Sequence, residues 1–216
     1  MNRTSFVFTA LLALAVPAAG TFFSSDAHAE AALGPASSFV KGKYDNVIKF
    51  LGEKPSPERE KKLDAELASL VDYDEMAKAV LGGEAGNRKP EEIARFTSVL
   101  KELIQINYKK KLTEITKYKV TYKAELADGA DTKVQTEAKD EADKKAIPVT
   151  IDYKVKKKGA GWIVVDIIPE DSSYVKAWNK ELIKVVKKDG WDAMMKKLDD
   201  KLAKEKAGTA TPAKKT

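Results

Sequence analysis

The 216-residue chain contains no cysteine and one histidine, His28. Thiol nucleophiles are therefore excluded. If residue 28 is removed by processing, so are histidine general bases, Ser-His-Asp triads and ordinary zinc or copper sites. Carboxylates, lysines, serines and tyrosines are what remain. Asp152 and Asp166 lie in strand-like runs, where a carboxylate could accept a proton. No second catalytic group is placed near either one, and Asp166 equally suits a salt bridge or a cap for the helix that follows. No GxxxxGK[ST] phosphate loop occurs. The expectation is no catalytic residue, no metal and no cofactor. Tyr118, Tyr122 and Tyr153 are more suggestive, because each falls on the apolar side of an alternating run. A buried phenol needs a hydrogen-bond partner or a wet rim, so three on a covered face suit a cavity mouth better than a sealed core.

Upstream lies an export signal. Arg3 supplies a basic n-region, FVFTALLALAVPAAG (6–20) an apolar stretch and Ala27-His28-Ala29 a cleavage site. Pro17 and Gly20 interrupt the run, which falls short of the roughly 18 clean apolar residues of a membrane span. The expected organisation is a signal peptide at 1–29, one domain at 30–206 and a disordered basic tail at 207–216. Cleavage removes Arg3, Asp26 and His28, so the net charge of +6 is unchanged. A soluble exported protein has no nucleic acid to meet. The lysine runs at 109–111, 156–158 and 187–188 alternate with acids and read as solvated surface, or as attraction to an anionic membrane face or acidic partner.

The elements that must position these groups follow from periodicity. Val40, Tyr44, Val47, Ile48 and Leu51 form one helical stripe. Ser56 and Pro57 suit the cap and first turn of a second helix carrying Leu63, Leu67 and Leu70. A short third helix starts near Asp72 or Asp74 and stops at Gly82. Pro90-Glu91-Glu92 opens a longer one bearing Ile93, Phe96, Leu100, Leu103, Ile104 and Tyr108. The period then changes to two. Tyr118, Val120, Tyr122, Ala124 and Leu126 alternate with polar residues, Asp128-Gly129 signals a hairpin, and 132–139 alternates again. Ile147 to Val155 and Trp162 to Ile168 complete four strands, with Pro148 near a strand start or on an edge. Trp162–Ile168 is apolar on both sides, which leaves its inward face open. Two helices follow, around Trp178 and Met194, with Gly190 between them. The fold expected is α+β: a four-stranded antiparallel meander covered by N- and C-terminal helices that enclose an apolar pocket.

The stretch GWIVVDIIPEDSSYVKAWNKELIKVVKKDGWDAMMKKL resembles the C-terminal signature of the MlaC (toluene-tolerance) family of periplasmic phospholipid carriers. Trp162, Asp166, Glu170, Ser173, Trp178, Gly190 and Asp192 match it without a gap. VDYDEMAKAVLG and the helix beginning at Pro90 are similar to a second block of that family. Three positions depart from it. Asp171 stands where glycine is usual, which suggests a different bend; Asn179 replaces a frequent arginine, putting a head-group contact in question; and GEAGN (83–87) lacks a tryptophan.

The resemblance implies a monomeric periplasmic carrier. It would bind phospholipid acyl chains and move lipid between an outer-membrane lipoprotein complex and an inner-membrane ABC transporter, in the maintenance of outer-membrane lipid asymmetry. The residues expected to line the pocket are Phe96, Leu100, Leu103, Val120, Tyr122, Val149, Ile151, Tyr153, Val164, Val175 and Trp178. Three rival readings stand beside it: a carrier of a hopanoid or other polycyclic lipid, a carboxylate-based periplasmic enzyme, and an adaptor that binds only protein.

Overall fold

A computed structural model of the chain describes residues 33–143 and 145–210. The expected signal peptide at 1–29 and residues 211–216 lie outside the described residues. Among these there are six α-helices and one four-stranded sheet: α1 (Pro35–Leu51), α2 (Pro57–Leu70), α3 (Tyr73–Leu81), α4 (Pro90–Ile115), β1 (Tyr118–Asp128), β2 (Asp131–Asp140), β3 (Val149–Lys158), β4 (Gly161–Pro169), α5 (Tyr174–Asp189) and α6 (Trp191–Ala210). A 3₁₀ turn, Gly82–Asn87, links α3 to α4. The sheet is an antiparallel meander in the order β1-β2-β3-β4, as expected. The last helix runs on to Ala210, past the boundary drawn at residue 206, so the first residues assigned to the tail are helical.

Local chemistry sets most of the boundaries. Ser56 accepts from the Arg59 amide and Ser173 from the Lys176 amide, each capping its helix. Asp72 accepts from the Glu75 amide to cap α3, while Lys158 reaches its other oxygen at 2.6 Å. Burial by itself would raise the Asp72 carboxyl pKa. The Lys158 ammonium and the helix amides outweigh burial and hold it below the usual range. Gly129 and Gly159, at φ +64° and +59°, make the two hairpin turns that only a left-handed residue allows.

Two bulges correct the face assignments. β1 pairs Tyr122 with Thr136 but Glu125 with Val134, so an extra residue enters between them. Beyond it the sides exchange. Glu125 turns inward and Leu126 is left 43% exposed, against the unbroken alternation expected through Leu126. The inward carboxylate accepts from the Ser37 amide at 2.7 Å, supplying the first turn of α1 with the acceptor that Gly34 lacks. On β4 the extra residue is Val165. Val164 pairs with Val155 and Asp166 with Lys154, which removes Asp166 from the Val164 face.

The bend between β4 and α5 keeps the shape a glycine would give. Asp171 adopts φ +60°, preceded by Glu170 at +45°. Aspartate tolerates this region better than most residues, and glycine would adopt it without strain. Asp171→Gly is expected to raise stability by about 0.5–1 kcal/mol, and Asp171→Val to lower it by about 1–2 kcal/mol, in urea denaturation.

Candidate functional site

The inner face of the sheet carries Val120, Tyr122, Val134, Thr136, Ala138, Val149, Ile151, Tyr153, Val155 and Val164, as strand register dictates. α1 lies across β1, β2 and β4, while α2, α3 and α5 reach β4, and α4 packs on α3 and α6. The space between divides into two unlike zones.

One zone is solid. Phe96, Leu100, Leu103 and Val164, all expected to line a pocket, are at most 1% exposed and share one cluster with Val134, Val155, Leu182, Met194 and Leu198. The Phe96 ring meets Trp191 at 6.1 Å between centroids, tilted by 46°. Val175 and Trp178 pack against this cluster while keeping some exposure, and the Lys201 ammonium sits 4.7 Å from the Trp178 ring.

The other zone is fringed by tyrosines. Tyr122 and Tyr153 project from the sheet, Tyr108 from α4 and Tyr44 from α1. Burial pushes the Tyr153 hydroxyl up to about 12, and raises those of Tyr108 and Tyr122 well above the ordinary phenol range. The neighbouring phenols add to this, each raising the next. Yet Tyr108, Tyr122 and Tyr153 all keep partial solvent access, as do Val120, Val149 and Ile151. Tyr122 and Tyr153 pack against the edge of the solid cluster and Tyr108 against a second, smaller one of Val47 and Leu63, so these side chains border the core without being sealed inside it.

A groove of about 460 Å³ opens beside them between α1 and β1, bounded by Tyr44, Asp45, Ile48, Lys49, Thr116, Tyr118, Lys119 and Val120. Its volume falls within the range of small-molecule sites, about 300–1,000 Å³. Val120 borders this groove and also lies on the inner face of the sheet. The Tyr44 hydroxyl donates to the Tyr118 carbonyl at 3.0 Å, tying helix to strand at the rim. Lys49 and Lys119 stand there beside Asp45, with Lys119 paired to Glu141 at 3.5 Å and Asp45 to Lys41 at 2.6 Å. A second depression, of about 430 Å³, lies along α5 and is bounded by Asn179, Lys180, Ile183, Lys184, Lys187 and Lys188, away from the inner face of the sheet.

Thus Val120, Tyr122, Val149, Ile151 and Tyr153 are half-accessible on the inner face of the sheet, whereas Phe96, Leu100, Leu103 and Val164 are sealed in the solid zone. Sequence reasoning passed over Tyr44, Ile48 and Tyr108 as ordinary stripe residues. Their signal was an aromatic or branched side chain at the border of the stripe, next to charged neighbours.

The two aspartates considered as bases are engaged structurally. Asp166 accepts from the amides of Ile167 (2.9 Å) and Val175 (3.1 Å) and from the Ser173 hydroxyl (2.5 Å), binding β4 to the start of α5. Asp152 pairs with Lys133 at 3.1 Å. Asn179 donates to the Val80 carbonyl at 2.7 Å, fastening α5 to α3. Among the described residues no cluster of His, Cys, Asp or Glu could hold a metal ion, and no helix is long and apolar enough to cross a membrane.

Residues 42–200 match the family model described as MlaC protein. No curated protein matches the chain. Among solved structures, the fold is similar to a phospholipid-binding protein from Ralstonia solanacearum, solved in complex with a phospholipid. The TM-score is 0.69 at 21% identity, over 80% of this chain and 99% of that one.

Proposed function

Since the chain belongs to the MlaC family, we propose that it is a soluble periplasmic carrier, not an enzyme, which holds phospholipid acyl chains in the tyrosine-fringed hollow between the sheet and α1 and α4. What supports this reading is the set of half-accessible residues on the inner face of the sheet, Val120, Tyr122, Val149, Ile151 and Tyr153, the first of which also borders the groove between α1 and β1. The phospholipid held by the Ralstonia protein on the same fold supports it.

The energetics suit a shuttle. Each methylene withdrawn from water contributes about 0.8 kcal/mol, in a protein hollow much as in a bilayer. Exchange between the two is therefore near balance, and the carrier needs no nucleotide. Energy would come from an inner-membrane ABC transporter, with an outer-membrane lipoprotein complex as the other partner. The head group stays at the mouth, where Lys49 and Lys119 can meet its phosphate.

Native mass spectrometry of protein purified without detergent tests the proposal. A co-purifying mass of about 700–1,500 Da that fragments as a phospholipid is expected, on the order of a two-chain lipid filling a pocket of this class. A polycyclic lipid in its place would redirect the assignment, and protein that is never loaded would overturn it.

A further inference from the structure

The hollow is not uniformly greasy. Tyr122 and Tyr153 stand on adjacent positions of its sheet wall, since Tyr122 opposes Thr136 and Tyr153 opposes Val134. The nearby Thr136 hydroxyl is already spent on the Ile151 carbonyl at 2.5 Å. Other tyrosines have protein acceptors: Tyr44 donates to the Tyr118 carbonyl and Tyr73 to the Leu67 carbonyl at 3.4 Å. Among the described residues none accepts from the hydroxyls of Tyr108, Tyr122 or Tyr153. These oxygens are not sealed in either. The only buried side-chain polar atoms without a partner among the described residues are Arg88 Nε and Thr97 Oγ1. Three donors with no protein partner among the described residues thus remain within reach of solvent at the border of the core.

Hydrocarbon cannot satisfy them, and an unpaired donor covered by an acyl chain would weaken binding. Along the inner side of β1, Tyr118 and Val120 belong to the mouth with Lys119, and Tyr122 comes next inward. A rim holding Lys49 and Lys119 beside Asp45, with Lys119 also 3.5 Å from Glu141, then phenol donors, then apolar side chains follow the order of a glycerolipid read inward: phosphate, ester carbonyls, chains. Resting on the carrier reading above, we infer that Tyr108, Tyr122 and Tyr153 form a hydroxyl layer that donates to the ester carbonyls of a diacyl glycerolipid, making the protein selective for ester-linked over ether-linked chains.

Delipidated full-length mature protein, titrated with two phosphatidylglycerols of equal chain length, one ester-linked and one ether-linked, provides the test. The ester lipid is expected to bind about tenfold tighter, as loss of one or two such hydrogen bonds implies. In Tyr122→Phe, Tyr153→Phe and the double variant the ratio should fall towards one, with thermal melting confirming that each variant is folded. Equal affinities in the unmodified protein overturn the inference. So does a variant that weakens both lipids alike while keeping their ratio, since the hydroxyls would then serve the phosphate. Binding of neither lipid overturns the carrier reading along with it.

Discussion

Phe96→Ala is expected to destabilise the protein by about 3–5 kcal/mol, a large part of the 5–15 kcal/mol that holds a typical domain folded. Phe96 is fully buried, and its ring packs against Trp191 within the cluster that includes Leu100, Leu103 and Met194. That cluster draws on α3, α4, α5, α6 and the sheet at once. Removing the ring leaves a void that none of these elements can collapse into without losing contacts elsewhere. Urea denaturation should show a lower midpoint at an unchanged slope. The hollow gives the contrast. Ile151 already keeps partial access, so Ile151→Ala should cost only about 1 kcal/mol, because it enlarges an opening where Phe96→Ala creates one. Similar losses at the two sites would show that the solid and hollow zones are wrongly divided.

Ile151→Trp is expected to cut the lipid that co-purifies with the protein by about tenfold or more while leaving the circular dichroism spectrum and fold intact. In a close-packed interior such an enlargement forces strain of about 1–3 kcal/mol. Ile151 is half-accessible on the inner face of β3, so the indole would extend into the space proposed for an acyl chain. Val149→Trp, two residues away on the same face, should act alike. Native mass spectra of the two variants beside the unmodified protein measure the occupancy directly. Full occupancy in both would show that this strand does not line the site.

Much of the fold is legible in the sequence because it is set by short-range chemistry. Ser56, Asp72 and Ser173 cap the helices they precede, and Gly82, Gly129 and Gly190 hold positive φ where elements end or turn. Alternation gives the four strands and their order. The bulges leave no such trace. An unbroken pattern through Leu126 does not reveal that Glu125 is drawn inward by the start of a helix 88 residues away in sequence. Periodicity finds the apolar side of α4 but not what that side meets. Phe96 and Tyr108 share one stripe, and only the neighbours on α6 and the sheet decide that the first is sealed and the second borders a hollow. Asp171 and Asn179 are further cases. One adopts a positive φ that glycine takes most easily, and the other spends its amide on Val80.

The sheet has two edges, and they are treated differently. Val71 forms a parallel bridge with Val164, and the Asp72 amide donates to the Val164 carbonyl at 3.1 Å, so the outer rim of β4 is partly occupied by the chain's own backbone. Strand addition from another molecule is thereby steered to β1, along which Lys117, Lys119 and Lys123 are exposed. Charged side chains along an exposed edge discourage two copies from zipping together there, although Lys119 and Lys123 are also paired with Glu141 and Glu137. Resistance to fibril growth in a crowded compartment is thus divided between one rim blocked by geometry and another guarded by charge.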